Sequence, residues 1–344
     1  VPGEAQKRGK DMRIALFSVH RYPASGGVST GLHPTTLATG GSCIVHDWLA
    51  RGLAELGHEV WYLLPGGAAA PLPTGVLLAS EPLPEVDILH HYNSRWVQDA
   101  PLVWRRAIRG KPWVTTCHAA PTGLGQAGET LPGHWICVSR TLAQRYRTGR
   151  YVINGINPDE YLYSETKDDY FLFISNMGSM TQVIHKGLPV ALAMARTLGF
   201  NLVVAGACRE YKVLKAVATM CRQAGASYVG DVRGVHKAEL FAGAKALLFP
   251  TQLPEAFGLV MAEALMSGTP VICSDRGACP EIISAAEGFV CQDWQDYIAA
   301  IDRVDTISPQ ACRDKALREF HYLRMAADYV KEYEHEIHLA GAGV

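Results

Sequence analysis

The strongest constraint on this chain is a series of short, unbroken apolar runs separated by helix-patterned stretches. Arg13–Val19 (RIALFSV), His58–Leu64, Val86–Tyr92, Pro112–Cys117 and Trp135–Ser139 occupy the first half. Tyr170–Ser175, Asn201–Ala205, Ser227–Val229, Ala244–Phe249, Thr269–Ser274 and Phe289–Val290 occupy the second. Runs with no polar alternation need burial on both faces, which suits inner strands of a parallel sheet covered by helices. The expected fold class is therefore α/β. At 344 residues and 48% hydrophobic content the chain can fill two cores. The expected organisation is a tail over 1–11, a first domain over 12–157 and a tyrosine-rich linker over 158–169. A second domain follows over 170–305, then a helical segment over 306–344.

Charged residues make up 19% of the chain and the formal net charge is −1, which gives no whole-chain case for nucleic acid or an anionic membrane as partner. No apolar run approaches the ~20 residues that span a bilayer. The opening VPGEAQKRGKDM is polar, without the apolar core of a signal peptide. The nine cysteines form no C-x-x-C pair and several fall in apolar runs, so reduced thiols in a cytoplasmic protein without structural zinc are expected. His90 and His91 are neighbours in a strand and face opposite sides, so they do not share a metal ion.

The densest chemistry lies in Leu253–Ile283. A proline-led loop carries Glu255; Phe257 and Gly258 open a short helix; Glu263 sits on it eight positions after Glu255; Gly268 closes it. A helix that follows a strand presents free amides and a positive dipole end to anions. A loop carboxylate beside that end can accept hydrogen bonds from hydroxyls. Together they suit a phosphorylated sugar. The frame Glu255, Phe257, Gly258, Glu263, Ala264, Gly268, Thr269, Pro270, Gly277 and Glu281 resembles the E-x7-E signature of retaining glycosyltransferases of family 4. The resemblance extends more weakly from about Met12 to Val304. It implies the GT-B fold: two Rossmann-like domains facing a cleft, with a C-terminal helix crossing back to the first. It also implies a nucleotide-diphosphate sugar as donor, bound by Glu255, Phe257, Gly258, Leu259, Val260 and Glu263, and retention at the anomeric carbon. Front-face attack is implied too, with the leaving phosphate helping to deprotonate the acceptor. No Asp-x-Asp pair is present to place a cation, so no metal and no cofactor are expected.

Other candidates complete the reading. Gly40-Gly41 lies flush against a helix expected over Cys43–Leu56 with Ser42 as its N-cap; strand, glycine loop and helix make the first half of a Rossmann-like unit. The long loop over 24–39 is expected to cover or select the acceptor. A basic, aromatic-edged helix is expected over Arg95–Ile108; such a helix can lie on an anionic membrane, but the favoured reading is the solvated face of an α/β helix. His118 ends a strand and resembles the family's strand-end histidine, which implies a contact with donor sugar or acceptor; the alternative is a core imidazole. Lys186 is placed to neutralise diphosphate. Asn176 stands where the family carries an arginine, and an amide cannot grip phosphate bidentately. Either the diphosphate is held less tightly, or Arg209, Arg233 or Arg276 supplies the charge. Uridine is the base guessed from family frequency. The acceptor is read as a glycan or a small natural product such as an antibiotic scaffold. The rival readings are a nucleotide-sugar-binding protein without transfer activity and an NAD-dependent oxidoreductase, though no G-x-G-x-x-G follows the first strand.

Overall fold

The computed structural model describes residues 11–18, 22–23, 41–64, 67–79, 85–91, 110–118 and 133–342. Gly40, the loop over 24–39 and the helix expected over Arg95–Ile108 lie outside the described residues. The chain divides into two compact units. One holds Val1–Val138, Ala143–Gly155 and Tyr322–Val344; the other holds Ser139–Leu142 and Ile156–His321.

In the first unit, β1 (Arg13–Phe17), β2 (Glu59–Leu63), β3 (Val76–Leu78), β4 (Ile88–His91), β5 (Trp113–Cys117) and β6 (Trp135–Cys137) form one sheet. Its order is β3-β2-β1-β4-β5-β6, and every pairing is parallel. Ile14 lies between Val60 and Ile88, so β1 is buried on both edges as its composition demands. Helix α1 (Gly41–Glu55) connects β1 to β2. It begins at Gly41, so Ser42 lies inside the first turn and is not its N-cap, contrary to expectation. The short β3, in which Leu77 and Leu78 are exposed, was not foreseen. Ala15, Phe17, Leu63, Val86 and Leu89 pack as one cluster with Trp61 and Trp113 against it.

In the second unit the sheet order is β12-β11-β10-β7-β8-β9. Its strands are β7 (Phe171–Ile174), β8 (Leu202–Ala205), β9 (Ser227–Gly230), β10 (Ala246–Phe249), β11 (Val271–Ser274) and β12 (Gly288–Cys291). The helices from Ser139 to His321, in chain order, are α2 (Arg140–Arg145), which belongs to this unit only as far as Leu142, α3 (Met180–His185), α4 (Leu188–Leu198), α5 (Tyr211–Gln223) and α6 (Gly234–Gly243). They continue with α7 (Leu259–Met266), α8 (Cys279–Ile282), α9 (Trp294–Arg303) and α10 (Pro309–Glu319). The core includes Phe173, Leu188, Leu192, Val204, Leu248 and Ile272.

Segment 158–169, expected as a linker, is built into this unit. Lys167 Nζ donates to the carbonyls of Ala242 and Ser267 and to Thr269 Oγ1. The helical segment expected over 306–344 holds two helices, α10 and α11 (Tyr322–Ala342). The break occurs because the backbone of 320–321 pairs with Ile156, whose amide donates to the Phe320 carbonyl at 2.7 Å. Helix α11 belongs to the first unit and packs on α1.

Candidate functional site

Each sheet has a point where the strand order reverses: between β1 and β4 in the first unit, and between β7 and β10 in the second. Ligands of doubly wound sheets bind outside the carboxyl ends of the strands at such a point. In the second unit, the loop after β7 carries Asn176, and the loop after β10 carries Glu255. Lys186 follows α3 as its C-cap. Its Nζ donates to Glu255 Oε2 at 2.7 Å and lies 5.9 Å from the centre of the Phe249 ring. The two loops are locked together by backbone. Gln252 N donates to the His185 carbonyl at 2.8 Å. Gly187, at φ +84°, leaves no room for a Cβ, which would sit 1.9 Å from the Pro250 carbonyl oxygen. Gly277 meets the Glu255 backbone as closely: a Cβ there would lie 2.3 Å from Glu255 O. Ala278 N donates to that same oxygen at 2.9 Å. Thus the loop that carries Glu255 is fixed from both sides.

Gly258 caps α7 in the left-handed conformation, and the helix starts at Leu259. Its first amides have no intrahelical acceptor and are available to an anion. Leu259 and Val260 are half-buried at that start. Phe257 is buried and meets Phe320 edge-on at 5.9 Å between ring centres, so its side chain serves packing beneath the loop.

Glu263 is buried on α7. Its Oε1 accepts from Tyr161 Oη at 2.9 Å and from Lys237 Nζ at 2.8 Å. Its Oε2 is buried with no hydrogen-bond partner among the described residues. Burial, with the Glu263 charge beside it, pushes the Tyr161 phenol well above its ordinary value, so Tyr161 is a fixed donor. Sequence reasoning missed both partners. Tyr161 sits in the segment taken for a linker, and Lys237 is one lysine on an amphipathic helix; neither carries a local signal. Glu281 has a different task from the other two glutamates. Its Oε1 accepts from Arg140 N at 2.9 Å, and its Oε2 from Thr141 N at 2.9 Å and Thr141 Oγ1 at 2.8 Å. It caps the first turn of α2 and is saturated there.

In the first unit, Gly41 opens α1 and is exposed. His118 follows β5, and its ring lies 6.1 Å from His46, which lies 4.9 Å from His90. Burial lowers the His118 pKa to about 3, so it is a neutral imidazole at neutral pH. His90 faces one side of β4, bonding Tyr333 Oη at 2.6 Å and Thr116 Oγ1 at 2.7 Å. His91 faces the other, stacked on Phe17 at 4.7 Å. The opposite facing expected of these neighbours is observed. Among the described residues, no group of three or more His, Cys, Asp or Glu side chains could hold a metal ion, and no helix is long and apolar enough to cross a membrane.

Two parallel six-stranded sheets with flanking helices, each with a switch point at its strand ends, define the GT-B glycosyltransferase fold. Comparisons with known proteins agree. Residues 163–317 match the family model described as glycosyl transferases group 1. The chain is 24% identical over 166 residues to the O-antigen chain mannosyltransferase RfbU of Salmonella typhimurium, an alignment that covers 46% of this chain and 45% of that protein. The two curated relatives found are each matched over less than half of their length, 32% and 45%. Among solved structures, AviGT4, a glycosyltransferase involved in avilamycin A biosynthesis, superposes with a TM-score of 0.71 at 23% identity, covering 95% of this chain and 98% of that one. Anabaena HepE, in complex with UDP and glucose, superposes with a TM-score of 0.64 at 15% identity, covering 94% and 99%.

Proposed function

We propose that this protein transfers a sugar from a nucleotide-diphosphate sugar to an acceptor hydroxyl, with retention and without a metal. The observation that carries the reading is the Lys186–Glu255 pair, held 2.7 Å apart at the switch point of the second unit beside the free start of α7. In this scheme Lys186 and the amides of Leu259 and Val260 receive the diphosphate. Glu255 accepts from the sugar hydroxyls. Glu263, with Oε1 occupied by Tyr161 and Lys237, is assigned to the ribose, whose hydroxyl reaches the buried, unpartnered Oε2 once the side chains that cover it shift. The acceptor oxygen bonds to the anomeric carbon as the bond from that carbon to the phosphate oxygen breaks, and the leaving diphosphate takes the acceptor proton. His118 is too weak a base at about 3 to take that proton, so its part is a hydrogen bond from a neutral ring. Gly41, at the start of α1, is assigned to the donor as well, together with Gly40, which lies outside the described residues. UDP is the favoured nucleotide of the donor, with the HepE complex as support. A small natural product is the favoured acceptor, with AviGT4 as support. The nine free cysteines favour a reducing, cytoplasmic setting.

Calorimetric titration with UDP, GDP, ADP, dTDP and NAD, in EDTA and then in magnesium, tests the reading. One diphosphate should bind without metal, and Lys186→Ala should lose it. Binding of NAD alone would overturn the proposal in favour of an oxidoreductase. Binding of a diphosphate with no transfer or hydrolysis of its sugar conjugates would leave a sensor.

A further inference from the structure

With a nucleotide-diphosphate donor bound, the proposed site would hold more anionic charge than it has cations to meet, and any residue assigned to that charge rests on the donor reading. A nucleoside diphosphate carries more negative charge than one ammonium offsets, and Lys186 is already engaged by Glu255. A guanidinium is the side chain best matched to phosphate oxygens, because it donates two parallel hydrogen bonds. Three arginines stood as candidates. Arg233 is paired with Asp231, at 3.0 Å from Nε and 2.9 Å from Nη2. Arg276 is paired with its neighbour Asp275 at 3.6 Å. Arg209 is exposed and forms no ion pair or side-chain hydrogen bond among the described residues.

Its position is what distinguishes it. Arg209 follows β8, the strand beside β7. The loops after these two strands are pressed together: Met177 N donates to the Ala207 carbonyl at 3.0 Å, and a Cβ on Gly206 would sit 1.8 Å from the Ser175 carbonyl oxygen. The Tyr228 hydroxyl reaches Gly206 O at 2.8 Å and Cys208 Sγ at 3.4 Å, which pins the loop just ahead of Arg209. The point a Cβ would occupy on Gly178 is 3.5 Å from Arg209 Cδ and 3.5 Å from Asn176 Oδ1. The stem of Arg209 therefore borders the same spot as the Asn176 amide, at the strand ends where the diphosphate is placed. We propose that Arg209, reaching over from the loop after β8, is the guanidinium that binds the donor diphosphate, supplying the charge that Asn176 lacks.

The test is titration calorimetry on the purified chain with UDP, GDP, ADP and dTDP, each beside its own nucleoside. In Arg209→Ala, the diphosphate that the wild type binds should weaken by about tenfold to a hundredfold, while its nucleoside binds as before. Arg209→Lys should recover part of the loss, because an ammonium does not bond bidentately. Adding Asn176→Arg to Arg209→Ala should recover most of it. Arg233→Ala and Arg276→Ala should leave the diphosphate affinity unchanged. Equal diphosphate affinity in Arg209→Ala and wild type would overturn the assignment and leave the donor site standing, as would a loss that falls on Arg233→Ala or Arg276→Ala. Equal weakening of nucleoside and diphosphate in Arg209→Ala would also overturn it, because that is general damage. A wild type that binds none of the four diphosphates would take the donor reading down, and this assignment with it.

Discussion

Lys186 keeps 33% of its side chain exposed and Glu255 keeps 17%, and that access decides what their ion pair is for. A pair this open to water contributes about 0–1 kcal/mol to stability. Lys186→Ala should therefore shift the melting temperature by a few degrees at most, while turnover falls by about two to three orders of magnitude through lost charge stabilisation. Differential scanning fluorimetry and an initial-rate assay read the two effects separately; full turnover would remove Lys186 from the site. Lys315–Glu287 makes the contrast. Their side chains are 8% and 7% exposed, and Glu287 Oε2 also accepts from Ser284 Oγ at 2.6 Å. Lys315→Met leaves that carboxylate buried without its cation and should cost about 3–5 kcal/mol in urea unfolding, with turnover per folded molecule unchanged. A loss under 1 kcal/mol would mean that Glu287 takes up a proton or water instead. At this scale the sequence marked Glu255, Glu263 and Lys186 because their neighbours in the chain set a loop–helix frame. It placed Glu281 in that frame but was silent on its task, because the amides it caps lie 140 and 141 residues away.

Elements were legible where burial dictates composition. β1, β7, β10 and β11 are continuous apolar runs buried nearly throughout. β3 and the short helices α2, α3 and α8 escaped, since three to six residues hold too little periodicity to read. The α10–α11 break escaped for another reason: it is imposed by pairing with Ile156, a contact across the chain. The packing of α11 on α1 turns on Gly52. A Cβ there would meet Ala326 Cβ at 2.8 Å and Tyr322 Cδ2 at 3.2 Å. Gly52→Ala gains about 1 kcal/mol of helix propensity. Ala326 Cβ is a stiff atom fixed to its own backbone, however, so the helices must separate, at about 1–3 kcal/mol for overpacking. Crowding wins. The variant should be less stable in urea, and amides of 322–342 should exchange faster in deuterium. A stabilised variant would show that the two helices part without cost.

At the scale of the whole molecule the same doubly wound plan is used twice, but the two units differ in where they bury histidine. Burial lowers His58, His90, His91, His118 and His134, all of them in the first unit, with His91 at about 4 and His118 at about 3. The alternation of strands told where His90, His91 and His118 fall, but not that they would be desolvated, because desolvation depends on what covers the strand ends. The consequence for stability has a definite sign. Below the ordinary value of 6.5 the unfolded chain binds protons that the folded rings refuse. Each ring's contribution is therefore full above pH 6.5 and is lost as pH falls toward its folded value, at about 1.4 kcal/mol per pH unit. His91 isolates one share of this loss. Both of its ring nitrogens are buried without a partner among the described residues, and its ring stacks on Phe17 and meets Trp113 edge-on at 5.6 Å. Phenylalanine keeps those ring contacts and removes both the unpaired polar atoms and the titration. His91→Phe should thus be at least as stable as wild type at pH 7.5, because an unsatisfied buried polar group costs about 1–3 kcal/mol. Between pH 7.5 and pH 5 it should lose about 2 kcal/mol less than wild type in urea unfolding. Equal losses in the two proteins would mean that His91 is protonated in the folded state at pH 5, and that the strand end is open to water.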